Sequence, residues 1–114
     1  MKIKDIIKLL DGNIINGSEN LHHEVEMGFA SDLMSDVLTL QVENLVLITG
    51  LANVQTIRTA EIADISCIVF ARKKKASPDI VSLAKENSII IIECPYSMFK
   101  TCGLLFDAGL KPVY

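Results

Sequence analysis

The stretches Leu45-Val-Leu-Ile-Thr49, Cys67-Ile-Val-Phe-Ala71 and Ile89-Ile-Ile-Ile-Glu93 decide the fold. They begin 22 residues apart, at 45, 67 and 89, and each runs into a polar loop and then an amphipathic segment. Apolar runs without alternation suit strands covered on both faces, and a helix between successive strands makes parallel pairing through right-handed crossovers the economical topology. The pattern predicts an α/β fold of three layers. Its mainly parallel sheet is built from three strand-helix repeats, joined by an N-terminal helix and short strands. The three strand ends should then share one rim of the sheet, where open α/β sheets commonly bind ligands.

Composition narrows what that rim can serve. At 114 residues the chain reads as a single domain over residues 1–114, large enough for its own core. Half of its residues are apolar and 22% are charged, which excludes a disordered chain. Trp is absent and aromatic residues make up 5%, so the stacking platforms of a single-strand nucleic-acid binder are missing. The net charge of -3 opposes a general phosphate-backbone partner, and no nucleic acid is expected. Charges in Met1-Lys-Ile-Lys-Asp5 interrupt any signal-like apolar run, and no later run approaches the roughly 18 residues of a membrane span. A cytoplasmic protein with no membrane partner is expected. The three cysteines, with Cys67 and Cys102 in apolar settings, read as reduced, buried thiols. A mean hydropathy of +0.39 points to an additional apolar surface, and so to a homodimer.

Ahead of the repeats, Ile3, Ile6, Ile7 and Leu10 follow the i, i+3, i+4, i+7 rule of an amphipathic helix that Asp11-Gly12-Asn13 stops. Ile14 to Gly17 reads as a short strand entering a turn, followed by a polar connection over residues 18–23. In Glu24 to Phe29, Val25, Met27 and Phe29 alternate with Glu24, Glu26 and Gly28, the period of a strand exposed on one face. Ser31 to Leu38 turns helical, with Leu33, Met34, Val37 and Leu38 on one side and Ser31 or Asp32 able to cap it. A capped core helix is the plain reading. The functional one has Asp32, Ser35 and Asp36, with Met34 beside them, lining a pocket or a subunit contact.

The first repeat leaves its strand through Thr49-Gly50 and enters a helix near Asn53, with Val54, Ile57, Ala60 and Ala63 on the sheet. A glycine, an Asn cap and free helix-terminal amides in Thr49 to Thr56 are a means of holding an anion. Neither a P-loop nor a GxGxxG accompanies them, so an ordinary capped turn stands beside that reading. The second repeat passes through Arg72-Lys-Lys-Lys75 to Ser77-Pro78-Asp79, a strong helix start. The basic run is either a solvated loop or, through Arg72 and a lysine with Arg58 nearby, a phosphate attractor. The third repeat leaves at Glu93-Cys94-Pro95 and starts a helix around Tyr96-Ser97, with Met98, Cys102, Leu105 and Phe106 as its buried stripe and Gly109 then Pro112 as its end. Cys94 lies near a helix N-terminus that could lower its pKa. No adjacent base is identifiable, so an inert structural thiol is the stronger reading and an enzyme using Cys94 the minor one.

Other chemistry is missing. His22 and His23 lack the i, i+4 spacing of a helical metal pair and default to a surface loop. There is no CxxC, three thiols are one short of a four-cysteine cluster, and no GxSxG elbow occurs. No metal and no cofactor are expected.

At Gly28-Phe-Ala-Ser-Asp-Leu-Met-Ser-Asp36, Leu47-Ile-Thr-Gly50, Asn53-Val-Gln-Thr-Ile-Arg-Thr-Ala-Glu61 and Tyr96-Ser-Met-Phe99, the chain resembles stand-alone DRTGG-domain proteins over nearly its whole length, although the DRTGG string itself is absent. Such domains accompany CBS domains in regulatory pyrophosphatases, occur in some phosphate acetyltransferases, and look like the non-catalytic N-terminal domain of HPr kinase/phosphorylase. The resemblance implies an accessory module that binds or transmits, commonly as a dimer, with no catalytic residues to carry over. It also implies an association of small free-standing relatives with iron-only hydrogenase systems.

Two expectations follow. In the first, a dimeric sensing module binds a small anion, such as an adenine nucleotide, at Thr49, Gly50, Asn53, Gln55, Thr56 and Arg58, with Arg72, Tyr96 and Ser97 nearby. In the second, a dimeric adaptor of a hydrogenase or another redox complex uses the same loops as a protein contact and takes no small molecule.

Overall fold

Asn53, Ser77 and Ser97 each stand in extended backbone just ahead of a helix, and each side chain accepts a hydrogen bond from the amide three residues on, at 3.0, 3.4 and 3.1 Å. These caps start α3 (Val54–Ile62), α4 (Pro78–Glu86) and α5 (Met98–Asp107) where the sequence places them. The strands ahead of them are β3 (Leu45–Thr49), β4 (Cys67–Phe70) and β5 (Ile90–Glu93). The computed structural model describes all of Met1–Tyr114 and adds α1 (Ile3–Leu10), β1 (Asn13–Asn16), a 3-10 turn (Ser18–Asn20), β2 (Met27–Ala30), α2 (Met34–Val37) and β6 (Lys111–Pro112).

All six strands form one sheet in the order β1-β5-β4-β3-β2-β6. Every pair is parallel except β1 against β5. Side-chain alternation divides the three repeat strands between two cores. Val46, Ile48, Cys67, Val69, Ile90 and Ile92 meet α1 and α5 on one face. Leu45, Leu47, Ile68, Phe70 and Ile91 meet α2, α3 and α4 on the other. This is the predicted three-layer α/β architecture. The third repeat departs from the first two, because α5 crosses to the opposite face and delivers the chain to β6 at the far edge. No helix is long and apolar enough to cross a membrane.

Three local expectations are corrected. The strand predicted over Glu24 to Phe29 runs from Met27 to Ala30 instead. Lying between β3 and β6, it is an inner strand, and its burial does not alternate, with Met27, Gly28 and Phe29 all half-buried. The helix predicted over Ser31 to Leu38 shrinks to Met34–Val37, with Leu33 and Leu38 exposed. Neither Ser31 nor Asp32 caps it. The Ser31 hydroxyl accepts from the Leu33 amide at 3.0 Å across a bend at Asp32, Leu33 is extended, and Asp32 is bonded to Thr49 at the end of β3. On α5, Phe106 is 67% exposed and Cys102 half-buried, while Thr101 and Leu105 take the buried face.

Phe70 is the one aromatic side chain fully inside. Phe70→Ala is expected to destabilise the domain by about 3–5 kcal/mol, and Ile62→Ala, on a 74% exposed residue, by less than about 0.5 kcal/mol. Urea titration followed by circular dichroism checks both values.

Candidate functional site

Parallel pairing brings the loops after β2, β3, β4 and β5 to one end of the sheet, and a single carboxylate ties three of them together. Asp32, two residues beyond β2, accepts from the Thr49 hydroxyl at 2.9 Å and from the Gly50 amide at 2.8 Å, both through Oδ1. Its Oδ2 pairs with Arg72 Nη2 at 3.3 Å, and the same Nη2 donates to the Gly50 carbonyl at 3.3 Å. The guanidinium lies so close over Gly50 that any side chain there would run into it. Arg72 reaches this position from a left-handed backbone, φ 61, with its amide bonded to the Tyr96 carbonyl at 2.7 Å. So the amide and cation expected to receive an anion already hold one, supplied by the chain itself.

Opposing effects act on that carboxyl. Partial burial raises its pKa, but the Gly50 amide, the Thr49 hydroxyl and the charges of Arg72 and Lys74 outweigh it and hold the group below its ordinary 3.8.

A second carboxylate closes the neighbouring part of the rim. Glu93, at the end of β5, is buried, accepts from the Ala76 amide at 2.8 Å and pairs with Lys75 at 3.3 Å. Beside it lies a polar cleft of about 310 Å³, lined by Asp11, Asn13, Lys73, Lys75, Glu93 and Cys94, among others. Lys73 and Lys74 make no ion pair. No local motif marks Glu93 in the sequence. Its signal was a lone acid closing a run of four isoleucines.

The remaining predicted residues scatter. Asn53 and the buried Thr56 serve the start of α3, where the Thr56 hydroxyl donates to the Leu51 carbonyl at 2.5 Å. Gln55 is exposed on the first turn of that helix. Arg58 faces away from the rim into a shallow cleft between α3 and α4, beside Asp79 and Glu86. Tyr96 is half-buried with Lys100 Nζ 3.9 Å from its ring centroid, and Ser97 caps α5. Met34 belongs to the core, while Ser35 and Asp36 are exposed on α2. The structure thus gathers Asp32, Thr49, Gly50, Arg72 and Tyr96 and leaves the others apart.

The cysteines form no cluster, and no group of acids, histidines and thiols could hold a metal. Cys94 is buried, with its sulfur 3.4 Å from the Thr101 hydroxyl and 3.6 Å from the Leu10 carbonyl, and no histidine beside it. His23 bonds Ser66 ahead of β4, at the opposite end of the sheet from the rim. Burial pushes the Cys67 thiol up to about 12 and raises Cys102 as well.

Because folding depresses the Asp32 pKa, its contribution to stability is full above the unfolded value and is lost as pH falls through the lower folded value. Asp32→Asn should therefore lower the melting temperature by a constant amount above about pH 5, and the difference from the parent should shrink below about pH 4. Melts from neutral pH to pH 2 check this. With iodoacetamide at neutral pH, Cys67 and Cys94 should stay unmodified until the chain unfolds, so that any native labelling read by mass spectrometry falls on Cys102.

The comparisons with known proteins concern the whole of this fold. The DRTGG domain family model matches residues 5–108. Among solved structures, the chain is similar to the crystal structure of the CBS and DRTGG domains of the regulatory region of Clostridium perfringens pyrophosphatase, complexed with its activator, diadenosine tetraphosphate. The TM-score is 0.79 at 18% identity, covering 98% of this chain and 48% of that one. The chain therefore spans about half the length of that relative. No curated protein matches its sequence. With a family match over most of its length and the corresponding fold, this chain belongs to the DRTGG domain family.

Proposed function

We propose that the chain is a non-catalytic regulatory module, working as a homodimer, that binds a small anionic ligand such as an adenine nucleotide at the C-terminal rim of its sheet. The observation that carries this reading is the seat of Asp32. An amide, a hydroxyl and a guanidinium converge there on a carboxylate, and the same donors suit a phosphate oxygen. A ligand phosphate would displace Asp32 and take over the Gly50 amide and Arg72, with Lys73 and Lys74 adding positive charge and Tyr96 and Ser97 at the margin. The nucleotide activator of the regulatory region resembled here supports the choice of ligand class. The absence of a base beside Cys94 supports binding without turnover.

One observation favours a second reading. Every buried side-chain nitrogen and oxygen has a hydrogen-bond partner within the chain, the Thr49 hydroxyl and the Glu93 carboxylate at the rim among them. On that reading the module is an adaptor within a larger enzyme complex, such as a hydrogenase, and takes no small molecule.

Thermal shift against AMP, ADP, ATP and diadenosine polyphosphates separates the two. A nucleotide at a hundred times its dissociation constant should add about 2.7 kcal/mol of stability. Arg72→Ala should abolish the shift, and Asp32→Asn, which removes the internal competitor's charge, should tighten binding. No shift in either the parent or Asp32→Asn overturns the ligand reading and leaves the adaptor.

A further inference from the structure

The outward face of α5 is built unlike that of any other helix in the molecule. Phe99 is 90% exposed and Phe106 67% exposed, seven residues apart on the same side, so the rings stand roughly 10 Å apart along the axis. Between them, Gly103 is exposed, and a side chain added there would touch nothing. Beside Phe106, an apolar groove of about 170 Å³ opens between α5 and β2, with Cys102, Leu105 and Phe106 on the helix side and Gly28, Ala30 and Ile48 on the sheet side. The opposite flank of the outward face carries Lys100 near the start of the helix and Asp107 at its end. Asp107 makes no ion pair within the chain.

These positions are self-complementary. If a second α5 lies antiparallel on the first, a two-fold axis perpendicular to both helices matches each flank with its own copy. Phe99 then faces the partner's Phe106, about a midpoint between residues 102 and 103. Lys100 faces the partner's Asp107, about a midpoint between 103 and 104. Both midpoints fall beside Gly103, where the missing side chain allows the helices to approach closely. The protruding Phe99 ring also reaches the mouth of the groove that the partner's Phe106 borders, so knob, hole and opposite charges are met by one operation.

We infer that two copies of this chain associate through α5, packed antiparallel across a two-fold axis at Gly103, with Phe99 of each protomer seated against the partner's Phe106 and groove. This rests on the homodimer reading and gives it a surface. The rim lies at the end of the sheet where α5 begins, so the contact leaves the Asp32 seat open to solvent.

Analytical ultracentrifugation of the full chain tests it, with circular dichroism as the control for folding. The parent should be a dimer. Phe99→Asp, at a side chain that packs on nothing within its own protomer, should stay folded and raise the dimer dissociation constant at least about tenfold. Asp107→Lys should weaken the dimer, and Lys100→Glu with Asp107→Lys should restore it. In a Cys102→Ser background, Gly103→Cys should cross-link two chains on mild oxidation. A dimeric parent whose association is unchanged by Phe99→Asp, or whose Gly103→Cys form does not cross-link, overturns the α5 interface and leaves the homodimer reading standing. A monomeric parent overturns both and assigns the groove to some other occupant.

Discussion

One carboxylate fixes the end of the sheet to which the strand-exit loops run. Asp32 joins the loops after β2, β3 and β4, and features that look separate follow from it. A side chain at Gly50 would push the Arg72 guanidinium off its place, so glycine keeps that contact open. Arg72 adopts a left-handed backbone and still delivers its guanidinium to Asp32. The chain bends at Asp32 and is extended at Leu33, so α2 starts only at Met34 and amounts to a single turn. An exposed ion pair alone would contribute little. This one is anchored by a backbone amide and a buried hydroxyl, which gives it a defined geometry.

The rim alternates in sign around its circumference. Asp32 neutralises Arg72 and Glu93 neutralises Lys75, so each carboxylate settles one cation of the basic run. Lys73 and Lys74 make no ion pair, so the basic run keeps two free cations although the chain as a whole carries a net charge of -3. The reactive residue types are either buried or placed away from these cations. The Cys67 and Cys94 thiols are inside the core, and His23 is at the other end of the sheet.

The sheet was legible because its signals are local. Residues 45–49 form β3 as read, and the Asn53, Ser77 and Ser97 caps act on amides three residues away. The seat of Asp32 was not legible, because its partners lie 17, 18 and 40 residues away and a Ser-Asp pair before an apolar stretch reads locally as a cap. Arg58 was placed with the rim by its position in the chain, whereas mid-helix geometry turns it toward α4. Periodicity on α5 failed for a different reason. Phe106 satisfies the apolar spacing of a buried stripe, but Thr101 and Leu105 fill that face and Phe106 is left on the outside.

The sheet's two margins bear on how copies of the molecule can meet. At one margin β1 is four residues long and its register slips between Ile14 and Asn16. At the other, β6 has two residues, of which Pro112 has no amide hydrogen to offer. An irregular border and a truncated one give an incoming chain no straight ladder to extend. Continuous growth of the sheet from molecule to molecule is thereby disfavoured, so a chain this rich in isoleucine can carry Phe99 and Phe106 on the outside of one helix without inviting fibrils.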